Sequence, residues 1–443
     1  MKKGHIIFII LTLILTLSVG AVNAADLNQT GAVDADDVSP KSFYELNETI
    51  YGNTESDIVM CDLDSDYEFV EEIDGDFIRG IAVMGNTTIN GNNHVINCKN
   101  KAISFNINES ILYVNNLTLM NANPIAISEE TGMCFLNNVR FIDDNETNSI
   151  ENVFIVASDG PNSMGFNDTY TVLDIVNCSF HSTVSHYADI YTSAAIVNIK
   201  DSVFDSGEVT YKGHIVASYE AKLNVDNVTF NNLTGNYAAA IYANTYWLNV
   251  RNSRFANLYA NMTAGAIGIK YSNSLVRNHS YVVENCIFEN TNCANEGGAI
   301  FFDAGGMHGD GIDNNATMDI INSRFANCSS SFGGAIVQLS GFLNIVNSTF
   351  DSNLAFSCGG AVYTSVVGVD IADSNFTNNT ALYQRGAIFH DGYDLNINGS
   401  IFMGNAVAFN ISDSANAIYS YYSDFNVENS YFKWRIGHLC CIY

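Results

Sequence analysis

Apolar and polar positions alternate in short bursts along the C-terminal two-thirds of the chain, and the bursts repeat. Each is an alternating apolar run, then Asn or Asp, a small residue, any residue and Phe. Examples are LDIVNCSF at 173–180, LNVDNVTF at 223–230, MDIINSRF at 318–325, LNIVNSTF at 343–350 and LNINGSIF at 395–402. The closing Phe recurs at 180, 204, 230, 255, 288, 325, 350, 376, 402 and 432, most often 24 to 26 residues apart. A period of two marks a strand, because successive side chains leave opposite faces. About nine residues beyond each Phe, small residues lead into a β-branched or aromatic pair, as in AAAIY at 238–242, GGAIFF at 297–302 and RGAIF at 385–389. A third apolar stretch, such as Val366–Val369, precedes the next phrase. Three short strands in such a unit, with no helical periodicity, predict one coil of a right-handed parallel β-helix. The L-x-x-L-x-L frame of a leucine-rich repeat is absent, and a propeller blade needs about 40 residues.

Stacking fixes further expectations. Strands of neighbouring coils lie about 4.8 Å apart, so 13–15 coils make a cylinder of roughly 60–70 Å. The Phe positions should form one interior aromatic column. The Asn column (Asn177, Asn227, Asn252, Asn285, Asn322, Asn347) should sit where strand turns to corner, since Asn tolerates positive φ and its amide can bond the Asn of the adjacent coil. The Gly-Gly-Ala column should let one sheet approach another. Only three prolines occur, which suits a backbone whose N–H groups join ladders. Two longer spacings, Phe255 to Phe288 and Phe288 to Phe325, are expected to carry loop insertions.

The ends differ from the repeat. Residues 1–24 have the form of a secretory signal, with Lys2, Lys3, an apolar run Ile6–Val19 and a small-residue site at Val22–Ala24. Residues 25–39 are an acidic leader. Residues 40–80 form an N-terminal cap in which Phe43, Leu46 and Ile50 share a helical face and plug the cylinder. The β-helix occupies 81–432, and 433–443 is an irregular C-terminal end. The 47 Asp and Glu against 18 Lys and Arg give a net charge of −29. That charge excludes a general affinity for nucleic acid and for anionic lipid. No apolar run reaches membrane-spanning length, so no transmembrane anchor is expected. Nineteen N-x-S/T sites suit a glycoprotein, although the repeat phrase itself writes many of them. Of ten cysteines, Cys178 and Cys286 occupy the register that holds Ser in other coils and read as small buried residues. If disulfides form, Cys286–Cys293 and Cys328–Cys358 are the expected pairs. No zinc-type spacing is present.

Several elements occur in a fixed order: the signal, S-F-x-E-L-x-x-x-I (Ser42 to Ile50), S-D-Y-x-F (Ser65 to Phe69), T-I-N-G-N-N-H-V-I (Thr88 to Ile96), then the N-S-x-F coils. This order resembles the adhesin-like surface proteins of methanogenic archaea. The GGAI and F-x-x-N elements (Phe350 with Asn353, Phe376 with Asn379, Phe402 with Asn405) are similar to repeats of the chlamydial polymorphic outer-membrane proteins. The resemblance covers residues 40–432. It implies a secreted or cell-surface β-helix that attaches to cells or glycans without catalysis, in association with the cell wall.

Two other readings compete: a β-helical polysaccharide lyase or glycoside hydrolase, and a structural wall component. Fold alone does not decide among them. A lyase needs carboxylates and a base, and an inverting hydrolase needs paired acids. The best candidates lie in FFDAGGMHGDGIDNN at 301–315, where Asp303, His308, Asp310 and Asp313 could gather near Arg277 or His279. The H-G-D triplet resembles the histidine motif of polygalacturonases, but their N-T-D, Asp-Asp and R-I-K elements are missing. No cofactor is expected beyond Ca²⁺. Asp26, Asn28, Thr30, Gly31, Asp34 and Asp37 match the spacing of a Ca²⁺ loop and resemble half a dockerin; Ser39-Pro40 then cuts off the exit helix. Tyr242, Tyr246 and Trp247 are candidates for stacking on sugars.

Overall fold

The computed structural model describes residues 39–433, apart from 53–55, 123, 129–131, 145–152, 159–170, 184, 220, 271–278, 305–315, 366–367, 384, 409–415 and 422. The signal, all of the acidic leader but Ser39, and residues 434–443 therefore lie outside the described residues. The chain divides into Met1–Ser39 and Pro40–Tyr443, and the second unit holds the regular structure described.

The described residues of Pro40–Tyr443 wind as a right-handed parallel β-solenoid, the fold that the repeat predicts, with about 12 turns in place of the expected 13–15. One coil shows the plan. Strands Phe342–Val346, Thr349–Asp351 and Leu354–Cys358 belong to a large sheet, and Val362–Ser365 to a small sheet of 13 strands. The strand pairings are parallel, and register holds along the columns: Leu343 lies between Met318 and Val369, and Phe350 between Phe325 and Phe376, with one shift between Ser330 and Phe332. The Phe column runs unbroken from Phe141 to Phe432. Its rings are stacked 4.7 Å apart at Phe350–Phe376 and 4.9 Å at Phe402–Phe432. The long spacings do not disturb it, because Phe255, Phe288 and Phe325 pair directly. The two insertions that lengthen those coils lie largely outside the described residues.

Each letter of the phrase has a physical task. The Asn takes left-handed backbone at the corner, with φ 50° at Asn322 and 47° at Asn347. Its amide donates to the preceding coil, Asn347 Nδ2 to Asn322 Oδ1 at 2.8 Å. The Ser that follows points inward: the Ser348 hydroxyl donates to Val346 O, while Ser348 N–H donates to Ser374 Oγ of the next coil at 3.1 Å. Three residues past the Phe, buried Asn353, Asn379 and Asn405 form a second ladder, with Asn353 Nδ2 to Asn379 Oδ1 at 2.9 Å and Asn379 Nδ2 to Asn405 Oδ1 at 3.0 Å. The buried Asn ladder thus meets its partners one coil away, which offsets the penalty of burying those amides.

Glycine in the GGAI element lets backbones touch in two directions. It admits the large sheet, as expected: a Cβ on Gly298 would meet Ser329 N at 2.7 Å and one on Gly334 would meet Leu354 N at 2.8 Å. It also lets successive coils touch. A Cβ on Gly298 would sit 2.0 Å from Gly334 O, and one on Gly334 2.1 Å from Gly360 O. Neither of the conditional disulfide pairs forms. Cys286, Cys293, Cys328 and Cys358 are free and buried. Cys286 serves as a serine would, donating to Glu284 O at 3.2 Å, and Cys328 holds the Thr291 hydroxyl at 3.1 Å.

Helix Phe43–Tyr51 buries Phe43, Leu46 and Ile50. Ser42 and Glu45 form a capping box at its start, and buried Asp74 accepts from the N–H groups of Phe43 and Tyr44. Among the described residues no helix is long and apolar enough to cross a membrane.

Candidate functional site

The small sheet is built from the AIxx segments, and both of its faces are covered. Its Ile column (Ile300, Ile336, Ile388) joins the interior core. The next residue in each strand points outward. Register aligns these residues as Tyr191, Val216, Tyr242, Gly268, Phe301, Val337, Tyr363, Phe389 and Tyr419. Val216, Tyr242, Phe301 and Val337 form an apolar cluster distinct from the interior, with Tyr187, Tyr211 and Tyr237 packed against it. Toward the C-terminal coils the rings stack, Tyr363 on Phe389 at 4.7 Å and Phe389 on Tyr419 at 5.9 Å. Phe332 meets Tyr363 edge-on. Exposed aromatics extend the patch at the neighbouring corner, with Phe356 and Tyr383 about half exposed. Within the row Val216, Tyr242, Phe301, Val337 and Phe389 are buried, while Tyr363 and Tyr419 are partly exposed.

Two residues further along the same strands lies the outward position of Asp303, beside Lys270 of the preceding coil. Asp303 therefore shares a face with Phe301. Half-buried Glu296 joins this group: burial first, and then the nearby Asp303 charge, raise its carboxyl above the usual range, while Lys270 opposes the shift. Sequence reasoning missed Glu296 because it directly precedes a GGAI element and reads as corner polarity. Burial gives it an acid's environment. His308, Asp310, Asp313 and Arg277 lie outside the described residues, as do Asp26, Asn28, Thr30, Asp34 and Asp37. His279 sits half buried just before the strand Ser280–Glu284, with its ring 6.1 Å from that of Tyr281, whereas Asp303 ends the small-sheet strand Ile300–Asp303. Among the described residues no three His, Cys, Asp or Glu side chains gather as a metal ion would require.

Of the candidate sugar-stacking residues, Tyr242 is in the outward row but nearly buried. Tyr246 packs against the interior core. Trp247 is on the large sheet, where its Nε1 donates to Asn224 Oδ1 at 3.1 Å.

The interior holds one further polar pair. Where other coils place Ala240, Ala266 and Ala299, two successive coils place Asp189 and His214, with Asp189 Oδ2 2.6 Å from His214 Nδ1. Space for the imidazole comes from Gly207, which pairs with Leu233 of the next coil: a Cβ on Gly207 would be 2.6 Å from His214 Cε1. Both side chains are almost fully buried, so this pair is sealed inside the solenoid rather than presented to a substrate.

No family model matches the chain, and no curated protein matches it. Among solved structures, the chain is similar to the periplasmic alginate epimerase AlgG, with a TM-score of 0.27 and 8% identity over 85% of each chain.

Proposed function

We propose that the protein is a secreted or cell-surface β-helix that attaches to glycans or to other cells, without catalysis, through the outward aromatic row of its small sheet. The supporting observation is the row itself: Tyr363, Phe389 and Tyr419 are stacked on the outside of a sheet whose inside is already filled. Aromatic rings bind sugar faces through CH contacts and exclude water over a wide area. A binding screen of purified protein on immobilised glycans and on cells tests this reading. The expected result is retention that falls at least tenfold on Tyr363→Ala. A protein that binds no glycan and no cell would overturn it.

A polysaccharide-cleaving enzyme is the second reading, and it rests on Glu296. A carboxyl held toward its protonated form beside the carboxylate of Asp303 is the arrangement a general acid needs. Assays for reducing sugar and unsaturated uronide release decide between the two. Turnover that disappears on Glu296→Gln would establish the enzyme in place of the adhesin.

A further inference from the structure

The outer face of the large sheet changes character along the solenoid. In the later coils it carries Asp319, Asn344, Asp370 and Asn396, bonded from coil to coil. In the first coils the same face is apolar. Strands Ile58–Asp62, Asn86–Asn90, Ile111–Met120, Met133–Asp143, Thr171–Val176 and Ala195–Lys200 each send alternate residues outward. Register stacks Ile58, Asn86, Ile111, Met133, Val172 and Ile196 in one outward column. The next column is Met60, Thr88, Tyr113, Phe135, Asp174 and Asn198, and only Asp174 among these positions is charged. Ile58 and Met60 are 66% and 76% exposed, while Val59 and Cys61 on the inward side are buried. Tyr113, itself 38% exposed, stacks on Phe135 with ring centres 4.8 Å apart.

A contiguous apolar face of this kind marks a contact with another molecule. Six strands about 4.8 Å apart, each about five residues wide, cover roughly 29 by 16 Å in projection. Side chains standing out from the sheet add to that. The accessible area is then of the order of the roughly 800 Å² that each partner gives to a stable interface. The face also has a charged border. A third outward column starts at Asp62 and ends at Lys200, both exposed, with uncharged Asn90, Asn115, Asn137 and Val176 between them. One end of the face is therefore acidic and the other basic, in a chain whose net charge of −29 otherwise holds copies apart.

We infer that this face is the interface of a two-fold dimer, its occupant a second copy of this chain. The inference goes beyond the glycan-binding reading and does not rest on it. With the two-fold axis parallel to the strands, the order of coils reverses across the interface while each column meets itself. Ile111 then faces Met133 of the second copy, Tyr113 faces Phe135, and Asp62 faces Lys200 at both ends. Sheets packed face to face lie about 10 Å apart, with their apolar side chains interdigitated between them. An axis along the solenoid would instead lay the column of Asp62 over that of Ile58 and leave Asp62 far from Lys200. The charges thus select one arrangement and the apolar columns stabilise it.

The repeat supplies its own folded controls. Ile58→Asn and Met60→Thr install the residues that Asn86 and Thr88 already place in the same two columns. Association of the full purified chain would be measured by analytical ultracentrifugation across a range of concentrations. The parent should dimerise, and the double variant Ile58→Asn with Met60→Thr should do so about tenfold more weakly, with an unchanged circular dichroism spectrum. Lys200→Glu and Asp62→Lys should each weaken the dimer, and the two together should restore it, because the pair is rebuilt with its signs exchanged. Within one chain the two residues are about 24 Å apart at the strand spacing, so this rescue reports contact between copies. A parent that stays monomeric at every concentration would overturn the inference, whether or not the face binds a different protein. So would a dimer indifferent to Ile58→Asn with Met60→Thr, or a charge exchange that fails to restore association.

Discussion

The two sheets of the solenoid are built with opposite polarity. In the large sheet the interior is uniformly apolar along its Leu, Ile and Phe columns. Its outside carries Asp319, Asn344, Asp370 and Asn396, whose side chains bond from coil to coil. In the small sheet the outside is aromatic, and one interior column turns polar: Gln338, Thr364, His390 and Ser420 pair in register, all buried. The large sheet thus satisfies its polar outer groups within the chain, which makes it a framework. The small sheet moves polar side chains indoors and packs much of its outer row away from water: Val216, Phe301 and Val337 are buried in a second apolar cluster, and Phe389 is buried as well. The two sheets thus differ in where they place their polar groups.

The contrast can be broken most strongly at the centre of the framework. Phe350→Ala removes a fully buried ring stacked between Phe325 and Phe376. It should destabilise the central coils by about 3–5 kcal/mol. In a nearest-neighbour array the loss spreads to adjacent coils, so hydrogen exchange should accelerate first around residues 325–376. A variant with the parent's exchange pattern and melting midpoint would refute the view that the Phe column carries the fold.

The fold was legible because its signals are periodic. A Phe every 24 to 26 residues and an Asn three before it can be counted without any structure. The Ser register of Cys178 and Cys286 was equally legible: both thiols are buried and donate to a carbonyl two residues back, as the serines do. What periodicity cannot show is which neighbour a residue meets across a corner. That is why the glycine column was read for sheet approach alone, when it also serves contact between successive coils. The aromatic row was half legible. Tyr242 was singled out, yet Phe301, Phe389 and Tyr419 read as ordinary strand residues, because a strand buried on both faces loses its alternation. Glu296 was invisible for another reason. Its raised carboxyl comes from burial and from the nearby Asp303 charge, and neither is encoded in spacing.

The polar interior of the small sheet gives a gentler test. His390 is buried, with Nδ1 2.8 Å from the Thr364 hydroxyl and Nε2 3.1 Å from Tyr393 O. Burial lowers its pKa below the ordinary 6.5, although the Tyr393 carbonyl opposes the shift. As pH falls through 6.5, the unfolded chain takes up this proton before the folded one does. The stability that His390 contributes is therefore complete above 6.5 and is lost progressively below it. His390→Gln places there the residue that Gln338 already provides in the same column. The variant should lose less thermal stability than the parent between pH 7 and pH 5. A parent and variant with parallel pH profiles would show that the imidazole is not the titrating group.

The smallest effect belongs to the outer face of the large sheet, and it is the control on which the contrast depends. Asn344 Nδ2 donates to Asp319 Oδ1 at 2.8 Å, and the pair is only partly buried. Water can replace the bond when it is removed, so Asn344→Ala should lower stability by about 0.5–1 kcal/mol. Its backbone bonds to Asp319 and Asp370 strands remain, and Leu343 and Ile345 on either side still face the core. On the proposed reading the same variant should retain glycan and cell binding undiminished, because that reading places the contact on the small sheet. Binding that fell on Asn344→Ala as far as on Tyr363→Ala, at unchanged melting midpoint, would mean that the partner runs over the polar ladder too. The division of labour between the two sheets would then be wrong, although the solenoid and its Phe column would stand.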